Sequence, residues 1–239
     1  MIASQLKRRR FGVETRILLG LAALAVGLFL FLQLASEVTE GDTRAIDRAI
    51  LLALRSPANL AVPVGPAWLA KAMTEVTVLG GATILTLMTA IVAFYLFAAR
   101  RPATAGFLIA AVSGGAIVAA TLKHIFQRPR PELVPHLVAV SSTSFPSGHA
   151  INSAVTYLTL GTLLAKSEHS RGVRIYLVGV AIFLTILIGV SRVYLGVHWP
   201  TDVIAGWCVG ATWALGCSVL AQYLQDRRRL EQRRAESDD

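Results

Sequence analysis

Long, nearly uncharged apolar runs are the feature that most limits what this chain can fold into. A bilayer core of about 30 Å needs about 20 such residues per helical crossing. Six segments reach or approach that length, at 17–35, 76–99, 103–121, 150–165, 173–190 and 203–223. In lipid the backbone must satisfy its own hydrogen bonds, so runs of this kind form helices. The expected fold is therefore all-α: an integral membrane domain over residues 1–239 with six transmembrane helices. Composition agrees, since 54% of the 239 residues are hydrophobic and only 15% charged. Soluble domains carry about 25% charged residues, and one of this size still needs a large polar surface. A disordered chain, a disulfide scaffold and an ordinary cytosolic enzyme are all excluded.

The first run follows a basic cluster, Lys7 to Arg10, as a signal peptide would. Its apolar stretch exceeds the usual 7–15 residues, and Gln33-Leu34-Ala35 is a poor cleavage site, so a retained helix is expected. Cys208 and Cys217 share the last run, where their spacing puts them on opposite faces of one helix, beyond reach of a disulfide.

The net charge of +9 would suit nucleic-acid binding if the basic residues formed a patch. Their positions say otherwise. An even number of crossings puts both termini on one side, together with 99–102 and 166–174. That side carries 15 of the 23 Lys and Arg residues. The positive-inside rule makes it cytoplasmic, including the N-terminal 1–16 and the tail 224–239. The expected partner is the lipid bilayer of a plasma membrane, with no nucleic acid. No residue pattern specifies an oligomeric state.

On the outer side, segment 36–75 contains an amphipathic helix. Ile46, Ala49, Ile50, Ala53 and Leu54 repeat with helical spacing, and Arg44, Asp47, Arg48 and Arg55 take the other face. Asp42 fits its N-cap and Pro57 its stop. The pattern suits equally a helix lying in the membrane interface and one packed over the outer end of the bundle.

Three polar clusters interrupt the apolar chain, and all fall on the outer side. Lys123 to Pro131 follows the third run, Phe145 to His149 opens the fourth, and Ser191 to Asp202 links the fifth and sixth. Ionisable groups at membrane depth are costly and usually functional. Lys123, Arg130 and Arg192 supply three cations, two of them guanidinium forks suited to phosphate oxygens. Ser147 and Gly148 sit where a helix begins, so free N–H groups and the helix dipole add to an anion cradle, and Ser147 offers a hydroxyl. Pro200 suits a first helical turn, which places Asp202 one turn beyond His198. The carboxylate can then hold one ring nitrogen and leave the other for attack. His149, on a different helix, is placed to protonate a leaving alcohol. No carboxylate cluster or H-E-x-x-H pattern accompanies these residues, so no metal or other cofactor is implied. Arg128 reads as a solvated or headgroup-facing charge, and Trp199 as an interfacial anchor.

The pattern Lys123/Arg130/Pro131, Pro146/Ser147/Gly148/His149, Ser191/Arg192/His198/Asp202 resembles the three-part signature of the type 2 phosphatidic acid phosphatase (PAP2) superfamily, without a departure. Its blocks occupy 123–202. The resemblance implies a phosphohistidine at His198 supported by Asp202, with His149 as general acid. It implies a phosphate site built from Lys123, Arg130, Ser147, Gly148 and Arg192, and metal independence. Six spans fit the membrane-bound branch, whose bacterial members hydrolyse phosphatidate, phosphatidylglycerophosphate, undecaprenyl diphosphate or lipid A phosphates. Two other readings use the same cradle: a silent binder or transporter of lipid phosphates, and a polytopic hydrolase of soluble phosphate esters.

Overall fold

The computed structural model describes the backbone of residues 2–238 and the side chains of residue 15 and residues 17–227. The basic cluster at Lys7 to Arg10 and the side chains of the tail beyond residue 227 lie outside the described residues. Eight helices follow in order: α1 (Ile2–Glu40), α2 (Arg44–Ala53), α3 (Ala67–Val78), α4 (Ala82–Ala98), α5 (Pro102–Phe126), α6 (Gly148–Ser167), α7 (Arg171–Tyr194) and α8 (Pro200–Asp238). A short antiparallel hairpin, β1 (Arg55–Ser56) with β2 (Asn59–Pro63), departs from the all-α expectation.

The chain is a multi-pass membrane protein, but the expected six spans are not all reproduced. Among the described residues, four helices are long and apolar enough to cross a membrane: Ile17–Glu40, Pro102–Phe126, Arg171–Tyr194 and Pro200–Arg227. A fifth crossing arises if α3 and α4 count together, bent by 48° at their junction. The run at 76–99 is thus broken rather than continuous, because Gly80 and Gly81 interrupt it.

The run at 150–165 lies in α6, which is too polar to be counted as a span by composition. The reason is its position. Helix α6 packs against α4, α5, α7 and α8, so its surface meets protein rather than lipid. Ser153, Thr156 and Thr159 are buried along it, and Ser153 donates back to the Ala150 carbonyl. Small residues admit its neighbours closely. A side chain at Gly206 would put its Cβ 2.7 Å from Ala150 Cβ, and one at Gly210 would lie 2.6 Å from Ala154 Cβ.

Helix α2 corrects the expected polarity of the outer segment. It buries Asp47 and Leu51 and turns Ile46 and Ile50 outward. Asp47 and Arg55, placed above on the polar face, are both buried. Arg55 Nη1 donates to the Leu54 and Tyr194 carbonyls at 3.0 Å, and Asp47 is paired inside, accepting from Arg128 and Thr201. The helix begins after Thr43 rather than Asp42.

Local signals explain how the chain leaves and enters the helices around the polar clusters. Gln127, left-handed at φ 43°, ends α5. Pro129 and Pro131 then prevent a helical restart. Gly196 turns the chain after α7 at φ 76°, where a Cβ would sit 2.7 Å from Arg55 Nη2. Pro200 opens α8 at the helix position that needs no N–H.

Candidate active site

The C-terminal ends of α5 and α7 and the N-terminal ends of α6 and α8 meet at one end of the bundle. Lys123 comes from the last turn of α5 and Arg192 from the last turn of α7, where a helix dipole favours cations. Gly148 and His149 open α6, and Asp202 lies in the first turn of α8. Lys123, Arg130, Gly148, His149, Arg192 and His198 line one cavity of about 520 Å³. Ser147 and Asp202 lie behind them, fully buried. The structure therefore brings together all eight residues singled out from the sequence.

The His198 ring is fixed from both sides. Nδ1 lies 3.3 Å from Asp202 Oδ2, and Nε2 lies 3.2 Å from Arg130 Nη1. A guanidinium has no acceptor, so Nε2 meets it with its lone pair. The carboxylate in turn accepts a hydrogen bond from Nδ1–H. Both contacts select one neutral tautomer, with an unprotonated Nε2 at the cavity. Burial pushes the His198 imidazole down to about 4; Asp202 opposes this, while Arg130 and Arg192 add to it.

Asp202 is held by more than the histidine. Its Oδ2 also accepts from the Trp199 N–H at 2.9 Å and from Ser144 Oγ, and its Oδ1 accepts from Arg128 Nη1 at 2.6 Å. Ser144 Oγ lies 3.3 Å from His198 Nδ1 as well. Neither Ser144 nor Arg128 was singled out as a site residue from the sequence. Ser144 carries no signal beyond a polar run, Ser141 to Ser144, just ahead of Phe145. Arg128 is not the solvated or headgroup-facing charge expected of it. It pairs with Asp47 at 2.8 Å and Asp202 at 2.6 Å, and stacks over Trp199 at 5.4 Å from the ring centroid. Trp199 is engaged within the protein, donating from Nε1 to the Pro129 carbonyl at 3.2 Å.

The cations are aimed by backbone and hydroxyl groups. Arg130 Nε donates to the Ser142 carbonyl at 2.7 Å, and Arg130 Nη1 also reaches the Val197 carbonyl. Burial lowers the Arg130 pKa, with Asp202 opposing, and a guanidinium still keeps its charge. Lys123 Nζ donates to the Thr143 carbonyl and to Ser142 Oγ at 3.4 Å. Arg192 Nη1 donates to Thr77 Oγ1 at 2.9 Å, so α3 orients it. At Gly148 an added Cβ would stand 3.3 Å from Lys123 Cε, which keeps the lysine close to the start of α6. Ser147 is the N-cap of α6 and accepts from the Ala150 N–H at 3.5 Å. The Gly148 and His149 N–H groups meet no acceptor among the described residues. Three cations and an open helix start suit a multiply charged oxyanion. Among the described residues, no three His, Cys, Asp or Glu side chains converge as a metal site requires.

The sequence profile of the PAP2 superfamily matches residues 103–226. Phosphatidylglycerophosphatase B of Bacillus subtilis is 35% identical over 191 residues, covering 77% of this chain and 88% of that protein. Undecaprenyl-diphosphatase of Sulfolobus acidocaldarius is 38% identical over 89 residues, covering 37% of this chain and 38% of that protein. Among solved structures, the transmembrane PAP2 type phosphatidylglycerolphosphate phosphatase from Bacillus subtilis superposes with a TM-score of 0.74 at 28% identity. That match covers 84% of this chain and 96% of the other.

Proposed function

The chain belongs to the PAP2 superfamily and is a membrane lipid phosphatase, and on that premise we propose that it releases inorganic phosphate through a phosphohistidine at His198. The observation that carries this reading is the doubly held His198 ring, whose Nε2 faces a cavity shared with Lys123, Arg192 and His149.

The substrate phosphate binds among Lys123, Arg130, Arg192 and the N–H groups at Gly148 and His149, with Ser147 capping that helix start. Its negative charge holds a proton on His149. His198 Nε2 attacks the terminal phosphorus, forming the N–P bond as the bond to the leaving oxygen breaks. His149 gives its proton to that oxygen. Asp202 takes up the positive charge developing on the ring by holding the Nδ1 proton. His149, now neutral, removes a proton from water, whose oxygen attacks phosphorus. The N–P bond breaks, inorganic phosphate leaves, and the neutral imidazole is restored. The cations stabilise the charge on the equatorial oxygens in both steps. No step calls on a metal.

The substrate class we propose is a lipid phosphate or diphosphate, with phosphatidylglycerophosphate favoured over phosphatidate and undecaprenyl diphosphate. The extent of the match to the Bacillus subtilis phosphatidylglycerophosphatase B supports that order. The cavity reaches the bent junction of α3 and α4 at Gly80 and Gly81, and this gives a lipid lateral access between helices. In the bilayer we propose six crossings, counting α3 with α4 as one and α6 as a crossing enclosed by protein. Both termini are cytoplasmic and the site faces the extracytoplasmic side. The charge asymmetry supports this orientation. The outward Ile46 and Ile50 of α2 support its lying in the outer membrane interface.

The test is phosphate release by purified protein from phosphatidylglycerophosphate, phosphatidate and undecaprenyl diphosphate, with EDTA and vanadate controls. Release that survives EDTA, stops with vanadate and disappears in His198→Ala supports the reading. Release by His198→Ala, or its loss in EDTA, overturns the mechanism.

A further inference from the structure

Helix α2 reaches the catalytic carboxylate through a chain of buried charges. Asp47 Oδ1 accepts the Thr201 N–H at 3.0 Å, and Asp47 Oδ2 accepts Thr201 Oγ1 at 2.6 Å. The first N–H groups of a helix have no intrahelical acceptor, so Asp47 caps α8 from another element and puts negative charge at its positive end. Arg128 then bridges the two acids, with Nη2 on Asp47 at 2.8 Å and Nη1 on Asp202 at 2.6 Å. Its Nη1 also donates to Thr201 Oγ1 at 2.9 Å. Both carboxylates are fully buried. The proposed dyad straddles the turn these bonds fix: Asp202 lies within it, and His198 just precedes it.

We propose that Asp47 and Arg128 are positioning residues, which clamp the first turn of α8 so that Asp202 stays directed at His198 Nδ1. This rests on the reading of His198 as the nucleophile. A role limited to stability would need only neutral packing here, since a buried ion pair is a weak source of stability. The clamp instead sets the direction of one carboxylate, which has four donors and a single productive orientation. It also draws the outer segment 36–75 into the reaction, because α2 supplies the distal acid.

The charges make opposite predictions for the two residues. The charged or titratable groups facing His198 are Lys123 of α5, Arg130, His149 of α6, Arg192 of α7 and Asp202 of α8. Arg128 adds a cation behind Asp202, and Asp47 partly neutralises it. Arg128→Gln therefore raises the pH of the acid limb of turnover, and Asp47→Asn lowers it.

The experiment uses full-length protein in mixed micelles with phosphatidylglycerophosphate, reading kcat, KM, the acid limb and thermal unfolding. The variants are Asp47→Asn, Arg128→Gln, the double substitution and His198→Ala. Each single change is expected to lower kcat about 10- to 100-fold, by analogy with the loss of hydrogen-bonded partners that orient metal-ligating side chains. KM should stay within about twofold, since neither residue touches substrate. In the double variant Asp47 no longer leaves a buried carboxylate without its cation, so stability recovers relative to Arg128→Gln while kcat stays low. Recovery of kcat together with stability, single variants with normal kcat, or a double variant that does not fold each overturns the positioning role. Turnover by His198→Ala instead overturns the nucleophile reading, whatever the clamp variants do. Inactive His198→Ala with normal Asp47→Asn rejects the clamp alone.

Discussion

The Ser147 N–H donates to the Asp202 carbonyl at 2.9 Å, joining the start of α6 to the first turn of α8. His149, two residues past Ser147, and His198, four residues before Asp202, are the groups that face each other across a bound phosphate in the proposed mechanism. This backbone bond sets their separation without using either side chain, so the site geometry depends on how closely α6 and α8 approach.

Gly206 controls that approach. A Cβ there would stand 2.8 Å from the Ser147 carbonyl oxygen and 2.7 Å from Ala150 Cβ. Neither neighbour can swing aside, so Gly206→Ala must part the helices. Overpacking of this kind costs about 1–3 kcal/mol. We expect a lower unfolding temperature, and a loss of kcat at temperatures where the variant remains folded. Wild-type kcat in a folded variant would contradict the dependence on helix spacing.

His149→Ala should cost about 10²- to 10⁴-fold in turnover of a lipid phosphate, the usual contribution of a general acid. The deficit should shrink for a phosphate ester with an acidic phenol as leaving group, which departs without protonation. Comparing kcat/KM for the two substrate types measures this, and equal deficits would deny His149 the acid role.

The acid limb of kcat/KM should fall near pH 4 rather than near 6.5, because burial holds His198 neutral down to about 4. The limb belongs to the His198–Asp202 pair titrating together. The same shift links to stability. The unfolded chain takes up the His198 proton near pH 6.5, whereas the folded protein does not until about 4. That contribution to stability is therefore complete above 6.5 and is lost as pH falls toward 4. A pH series of rates and of thermal unfolding checks both, and a kinetic limb at 6.5 would contradict the buried, neutral ring.

Thr77→Val removes the acceptor that holds Arg192 Nη1 at 2.9 Å. A hydrogen bond to a charged group contributes about 1.5–3 kcal/mol, so the looser guanidinium should raise KM about tenfold or more. Unchanged KM would mean that other contacts aim Arg192.

The apolar runs and the three polar clusters were legible in the chain because both are local in sequence. The runs gave helices wherever their residues face lipid or apolar neighbours. They failed to predict the α3–α4 break, since two glycines leave the hydropathy of a window almost unchanged. The candidate site residues were legible because phosphate chemistry needs cations, a helix start and a histidine with its carboxylate at helical spacing. Ser144 and Arg128 stayed hidden because their partners, His198 and Asp202 for one and Asp47 and Asp202 for the other, are close only after folding.

What the sequence determined by itself was a membrane bundle with a candidate phosphate cradle at one end, because burial in lipid and anion binding each demand particular residue types. The tertiary structure decided which faces of the outer helix are buried and where the proton on His198 resides. Amphipathic spacing placed Asp47 and Ile46 on opposite faces of α2 but could not tell which face turns inward. Charge complementarity reversed the usual order: Arg128 and the start of α8 offered Asp47 a buried site, and the apolar face was left to the surroundings.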